Sequence, residues 1–375
     1  DPNLVIFGED VTPNHHALAR QFTLLDNFYC SGVLSADGHS WVNEAYVTDY
    51  LERSFGGWTR SYPDDGSDPL AYPSSGFLWD NALARKKTLR NYGEFVRQDY
   101  APKGMTWQNG YDDYRNGTRK MQFTVRANLK SLELFTHPGY PWFPLLVPDV
   151  YRANLFIEEL KEFTQKKQFP NLVYVTLPCD HTEGTRPNFP TPRAMVADND
   201  LALGRIVEAL SKSPFWPKMC IFVVEDDPQN GFDHVDAHRT VALALSPYTR
   251  RGFVDHTCYN QTGMVKTIEL ILGLPPMNQL DLSATAMRGC FQAEPNLEPY
   301  RCLPNRVKLD EMNPALSQLR GPALEWARKS LAMNLDEGDQ ADEETFNRIL
   351  WHAVRGYDKP YPERFAGKNE SAGPD

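Results

Sequence analysis

The chain has 375 residues, 41% of them apolar and 23% charged, and carries a net charge of −10. That is enough apolar sequence for a full core in about two ordinary domains or one large α/β domain, and it excludes a disordered chain. The acidic balance speaks against nucleic acid as partner, since phosphate backbones need clustered Lys and Arg, and no apolar run approaches the roughly 18 residues of a membrane span.

The 29 prolines and 12% aromatic residues point to long, ordered loops on a rigid scaffold. The six cysteines show no C-x-x-C spacing, so a structural zinc knot is not expected. Cys258, Cys290 and Cys302 cluster late, and two of them could pair in an oxidising compartment. Cys220 lies in an apolar run and reads as a buried thiol. The opening Asp1-Pro2-Asn3 has neither Met nor leader pattern, so the sequence reads as a fragment or a mature product.

In chain order, Thr12-Pro13 starts a helix that runs to Thr23, with Thr as N-cap and Pro at the first position. Residues 24–29 are a short strand, 35–39 a turn and 40–53 a helix. Gly, Pro, Asp and Ser make 56–76 a loop. Poor periodicity and dense aromatics over 78–148 suggest an inserted cap with one helix near 80–98. Residues 150–167 form an amphipathic helix. The run 172–177 (LVYVTL) is a buried strand, 191–211 a long helix, 219–224 (MCIFVV) and 240–245 two more strands, and 262–272 a helix. Doubly buried strands alternating with helices predict an α/β fold with a largely parallel central sheet and helices on both faces. After Gly273 come proline-rich loops, helices over 322–335 and 342–355, and a polar tail.

Three strand ends carry chemistry. After the 219–224 strand, Glu225 to His238 holds five acids and two histidines in fourteen residues. Carboxylates with imidazole suit a divalent cation, and α/β sheets place their sites beyond strand carboxyl ends. A solvated acidic loop with capping Asp residues is the plainer reading of such a cluster. After the 172–177 strand, Asp180-His181 reaches the same sheet edge and reads equally as a ligand pair or an Asx-turn with a satisfied His. Ser35-Ala-Asp-Gly-His39 places a Ser before a helix, where backbone N–H groups and the helix dipole favour an anion, although a simple N-cap is the commoner case. There is no G-x-S-x-G, G-x-G-x-x-G or Walker A pattern. Together the three ends suit metal-assisted transfer of phosphoryl or sulfuryl groups through a covalent Ser.

The chain resembles the alkaline phosphatase superfamily. It is most similar to the phosphoesterase branch that includes bacterial phospholipase C and AcpA-type acid phosphatases, and to bacterial members fused to an N-terminal β-propeller. The resemblance rests on Val11-Thr-Pro-Asn-His-His-Ala-Leu-Ala-Arg20, Leu25-Asp-Asn-Phe-Tyr29, Ser35-Ala-Asp-Gly-His39, Arg90-Asn-Tyr-Gly-Glu-Phe95, the run 190–204, Gly231-Phe-Asp-His-Val-Asp-Ala-His-Arg239 and Ala244-Leu-Ser-Pro-Tyr-Thr-Arg-Arg-Gly252, and it spans nearly the whole chain.

The resemblance implies an alkaline phosphatase-like domain over 1–375, a cap inserted over 56–149 and a C-terminal extension over 274–375. It implies a metal-dependent phosphoesterase with one or two divalent ions (Zn, Mn or Ca), a small phosphate-ester substrate, and a periplasmic or secreted location. Ser35 matches the nucleophile. Asp226, Asp227 and His238 match metal ligands, with Asp180 as a further ligand. His181 and His39 match catalytic contacts to the transferred group, and His234 and Arg186 substrate contacts. The family's first strand, ending in a Glu-Asn pair that adds a ligand, would lie upstream of Asp1, so the domain is expected to lack that strand. A sulfatase, phosphodiesterase or phosphomutase on the same scaffold, or a non-catalytic binding protein, are the alternatives; no Cys-x-Pro-x-Arg sulfatase signature lies near Ser35.

Overall fold

The computed structural model describes residues 4–54, 63, 65–143, 145–228, 238–336 and 340–363. The elements are α1 (Pro13–Gln21), β1 (Thr23–Leu25), β2 (Phe28–Tyr29), α2 (Ser35–Glu44), α3 (Asp49–Arg53), α4 (Leu78–Ala84), β3 (Leu89–Tyr92), β4 (Val96–Ala101), α5 (Trp107–Asn116), β5 (Gln122–Ala127), α6 (Asp149–Lys166), β6 (Leu172–Val175), α7 (Pro192–Ser211), β7 (Ile221–Val224), β8 (Ala242–Leu245), β9 (Phe253–Asp255), β10 (Tyr259–Asn260), α8 (Gln261–Leu272), α9 (Gln279–Ser283), α10 (Gly321–Ala332) and α11 (Glu343–Arg355).

The fold is α/β. One sheet has the order β7-β8-β1-β9, and β3 pairs with β6. β1–β9 and β3–β6 are parallel, while β8 runs against both neighbours. Strict alternation builds a core on each side, because successive side chains leave a strand on opposite faces. Leu243 and Leu245 of β8 enter one cluster, with Leu18 of α1 and Val207 of α7. Ala242 and Ala244 enter the other, with Met264 of α8. In the same way Val173 and Val175 of β6 meet Phe156 and Ile206, whereas Leu172 and Tyr174 meet Trp79 and Val265. Helices α1, α6 and α7 thus cover one face and α4 and α8 the other. Each fully buried aliphatic or aromatic side chain contributes about 1.5–3 kcal/mol of transfer free energy.

β6 and β7 are each the last strand of their sheet, and no ladder joins them among the described residues. Both line one cleft, together with Phe7 and side chains from α6, α7 and α8. All four residues of β7 are only half-buried, in contrast to the fully buried β8. The cores on the two sides of this slot share Leu177, Met219 and Ile221, so it interrupts an otherwise continuous array.

Two local expectations change. The helix expected near 80–98 ends at Ala84: Arg85 leaves helical geometry, Lys86 takes φ +57°, and the chain turns into β3 and then β4. The stretch assigned to a cap therefore also supplies a strand beside β6. The 40–53 helix is two helices, broken where Ala45 takes φ +51°, and the first begins at Ser35. The six cysteines are all free thiols, with Cys290 buried against Asp255 and Cys258 exposed, so the late cysteines do not pair. No described helix is long and apolar enough to cross a membrane.

Candidate active site

The site lies beyond the carboxyl ends of β6 and β7, against the first turn of α2. Ser35 is the first residue of that helix, after the extended Leu34. Asp37 fixes the turn by accepting from the backbone N–H of Leu34 at 3.0 Å and of Val33 at 3.3 Å. Gly38 is required here, because a Cβ would overlap the carbonyl of Asp226. The α2 backbone can therefore press directly on the loop after β7. Buried Gln261, at the start of α8, ties that loop down: its Nε2 donates to the Asp226 carbonyl at 2.6 Å and its Oε1 accepts from the Ser31 N–H at 2.8 Å.

With the backbones so placed, Ser35 Oγ donates to Asp227 Oδ2 at 2.9 Å. His39, one turn further along α2, puts Nε2 3.5 Å from Asp226 Oδ2 and donates from Nδ1 to Glu94 Oε1 at 2.8 Å. Glu94 also accepts from Asn43 Nδ2, and its own N–H donates to Asn91 Oδ1 at 3.0 Å. The 3.5 Å approach is an ion-pair distance and not a hydrogen bond, and Asp226 Oδ2 is buried without a hydrogen-bond partner among the described residues. His181 is in the same state, both ring nitrogens being buried without a hydrogen-bond partner among the described residues, and burial lowers its pKa. The next residue, Thr182, takes φ +59° and ψ 167°, a costly conformation for a β-branched residue of the kind that clusters at functional sites.

Asp180 and Glu225 stand at the ends of β6 and β7, on the two sides of the slot, and share a hydrogen bond. Burial, reinforced by the repulsion of neighbouring carboxylates, raises both carboxyls above their ordinary values.

Of the sequence-derived candidates, Ser35, His39, Asp180, His181, Asp226 and Asp227 all line one cleft. His238 does not line it. Its carbonyl accepts from the Cys30 N–H at 2.8 Å, which holds the residue beside β2. Arg186 does not line that cleft: its guanidinium pairs with Glu183 at 2.7 Å and Asp336 at 2.9 Å. His234 lies outside the described residues. Glu94 was not singled out in the sequence; the only signal was its place in the Arg90–Phe95 motif.

One set of three ligand-type side chains packs within 4.8 Å among the described residues: Asp149, Cys179 and Asp198. It is a structural knot. Asp149 binds the Arg152 guanidinium at 2.9 Å and the Cys179 N–H at 2.9 Å, and Asp198 accepts the first N–H groups of α6, so both carboxylates already tie elements of the fold together. At the cleft the donor set is different. Two adjacent carboxylates, one with a buried oxygen that has no partner among the described residues, fit a hard divalent cation through Asp226 and Asp227, beside the hydroxyl of Ser35.

The model of the phosphoesterase family matches residues 3–275. No curated protein matches the chain. Among solved structures, the chain is similar to an alkaline phosphatase superfamily protein from Vibrio parahaemolyticus, at 16% identity and a TM-score of 0.45, over 77% of this chain and 68% of that one. It is also similar to human ectonucleotide pyrophosphatase/phosphodiesterase 5, at 12% identity and a TM-score of 0.42, over 73% and 94%. The chain is likewise similar to the PsFucS1 sulfatase from Pseudoalteromonas sp., at 13% identity and a TM-score of 0.41, over 77% and 68%.

Proposed function

The chain belongs to the phosphoesterase family, and on that premise we propose that it hydrolyses phosphate esters through a phosphoseryl intermediate at Ser35. The observation that carries the reading is the hydroxyl of Ser35, at a helix N-terminus, donating to Asp227 beside the carboxylate of Asp226, whose buried Oδ2 has no hydrogen-bond partner among the described residues. Ser35 Oγ attacks phosphorus in line; the Oγ–P bond forms and the bond from phosphorus to the ester oxygen breaks. Asp227, which already accepts that hydrogen bond, receives the hydroxyl proton and later returns it to Ser35, and the ester oxygen leaves as the alcohol with a proton from water. In this reading His181 donates from one ring N–H to the oxygens of the transferred group, and His39 would do so from Nε2 as the imidazolium, its Nδ1–H being given to Glu94. Water then attacks the phosphoserine, releasing phosphate and restoring Ser35. A divalent cation held by Asp226 and Asp227 would supply charge neutralisation and a lower pKa for the nucleophile.

The expected missing strand belongs to the same reading. Among the described residues β6 and β7 each keep one edge unpaired beside the cleft that Asp180 and Asp226 line, which in this reading leaves room for one further strand.

The test is turnover of p-nitrophenyl phosphate with Mn²⁺, with metal content measured in parallel. Ser35→Ala is expected to abolish turnover and keep the metal, and Asp226→Asn to lose both. Full turnover in Ser35→Ala would remove the nucleophile assignment, and undiminished metal in Asp226→Asn would remove that ligand.

A further inference from the structure

The loop 141–143 roofs the cleft, and its construction bears on which ester enters. Its backbone is pinned from two sides. Arg152, fully buried on α6, donates from Nε to the Pro141 carbonyl at 2.9 Å and from Nη2 to the Trp142 carbonyl at 2.6 Å. Gln98 of β4 accepts from the Trp142 N–H at 3.2 Å and donates to the Phe143 carbonyl. A buried guanidinium spent on backbone carbonyls makes a rigid mount, because each lost partner would leave a buried polar group unpaired.

What the mount presents is two rings. Trp142 meets His39 edge to face, with centroids 5.4 Å apart at 89°. Phe143 meets His181 at 5.6 Å and 87°. Both rings are half-buried and line the cleft beside Ser35. By contrast, Tyr140, Tyr92 and Trp79 are fully buried in the core. The lysines lining the cleft among the described residues are Lys87, Lys166, Lys167 and Lys218. All precede β3, β6 or β7, so they lie at the opposite strand ends from Ser35. At the Ser35 end, the described lining offers no Lys or Arg for a second anionic group, and it offers two aromatic walls.

We propose that Trp142 and Phe143 are specificity-determining residues that select phosphate esters with a flat, apolar leaving group of the aryl class over small hydrophilic alcohols. The assignment rests on the phosphoesterase reading. Ring contacts of this kind discriminate by roughly twofold to tenfold each.

The test uses unreactive probes, so that leaving-group chemistry does not enter. Phenylphosphonate and methylphosphonate compete with p-nitrophenyl phosphate in the presence of Mn²⁺, and their direct binding is followed by calorimetry. Phenylphosphonate is expected to bind about tenfold more tightly. That ratio falls towards one in Trp142→Ala and Phe143→Ala and is largely kept in Trp142→Phe, with folding checked by circular dichroism. Equal binding of the two probes by the unaltered protein overturns the proposal alone, as does an unchanged ratio in both alanine variants. Binding of neither probe removes the phosphoesterase reading, and this proposal with it.

Discussion

At the scale of single residues, the site depends on groups that differ in how visible they are. Ser35, Asp226 and Asp227 stand in short acid- or turn-rich stretches after strands, so chemistry and position mark them together. Glu94 carries no such mark. It reaches the site from the loop after β3, 55 residues along the chain from His39, and only folding joins them. Its effect is orientation: by accepting from Nδ1 it fixes which His39 nitrogen points at Asp226. Glu94→Ala is expected to lower kcat about 10- to 100-fold, the usual cost of losing an orienting partner, with Glu94→Gln recovering part of it. Turnover that is unchanged in Glu94→Ala would show that the ring is held by its packing on Trp142 and Phe95 instead. Arg186 makes the converse point. A lone arginine after a strand looks like an anion contact, but Glu183 and Asp336 already neutralise it.

At the scale of elements, helices and buried strands were legible wherever one periodicity dominated. The expected 150–167, 191–211 and 262–272 helices correspond to Asp149–Lys166, Pro192–Ser211 and Gln261–Leu272, because apolar residues recur on their faces and Gly or Pro punctuates their ends. Residues 80–98 show no single period, because α4, β3 and β4 follow one another with only short breaks and their mixed aromatics average out. The α8 helix carries a prediction of its own. Burial and the nearby Asp281 raise the Glu269 carboxyl to about 8, from an ordinary value of 4.5. The folded chain therefore holds this proton more tightly than the unfolded one. Its stabilising share is complete below about pH 4.5 and is lost as pH rises through about 8. Glu269→Gln, which keeps a donor towards Asp281, should flatten the fall in melting temperature between pH 5 and 8.5 relative to the unaltered chain. Parallel curves for the two proteins would mean that Glu269 ionises freely in the fold.

At the scale of the whole molecule, the slot between β6 and β7 is the feature a sequence pattern shows least. Both runs read as doubly buried strands, LVYVTL and MCIFVV, yet each is paired on one side only among the described residues. Hydrophobicity reports that a strand expects cover, not whether its neighbour is present. An unpaired edge exposes alternate backbone N–H and C=O groups to water, and such amides open at low free-energy cost. β8, by comparison, is buried throughout and bonded on both sides, to β7 and β1. Native-state hydrogen exchange should therefore find alternate amides of Leu172–Val175 and Ile221–Val224 exchanging well ahead of Ala242–Leu245. A chain lengthened upstream of Asp1 to carry a strand that enters the slot should slow those same amides and raise the melting temperature. Protection along β6 and β7 equal to that of β8 in the 375-residue chain would mean that the slot is already closed. Protection that grows with protein concentration would instead make a second copy the occupant.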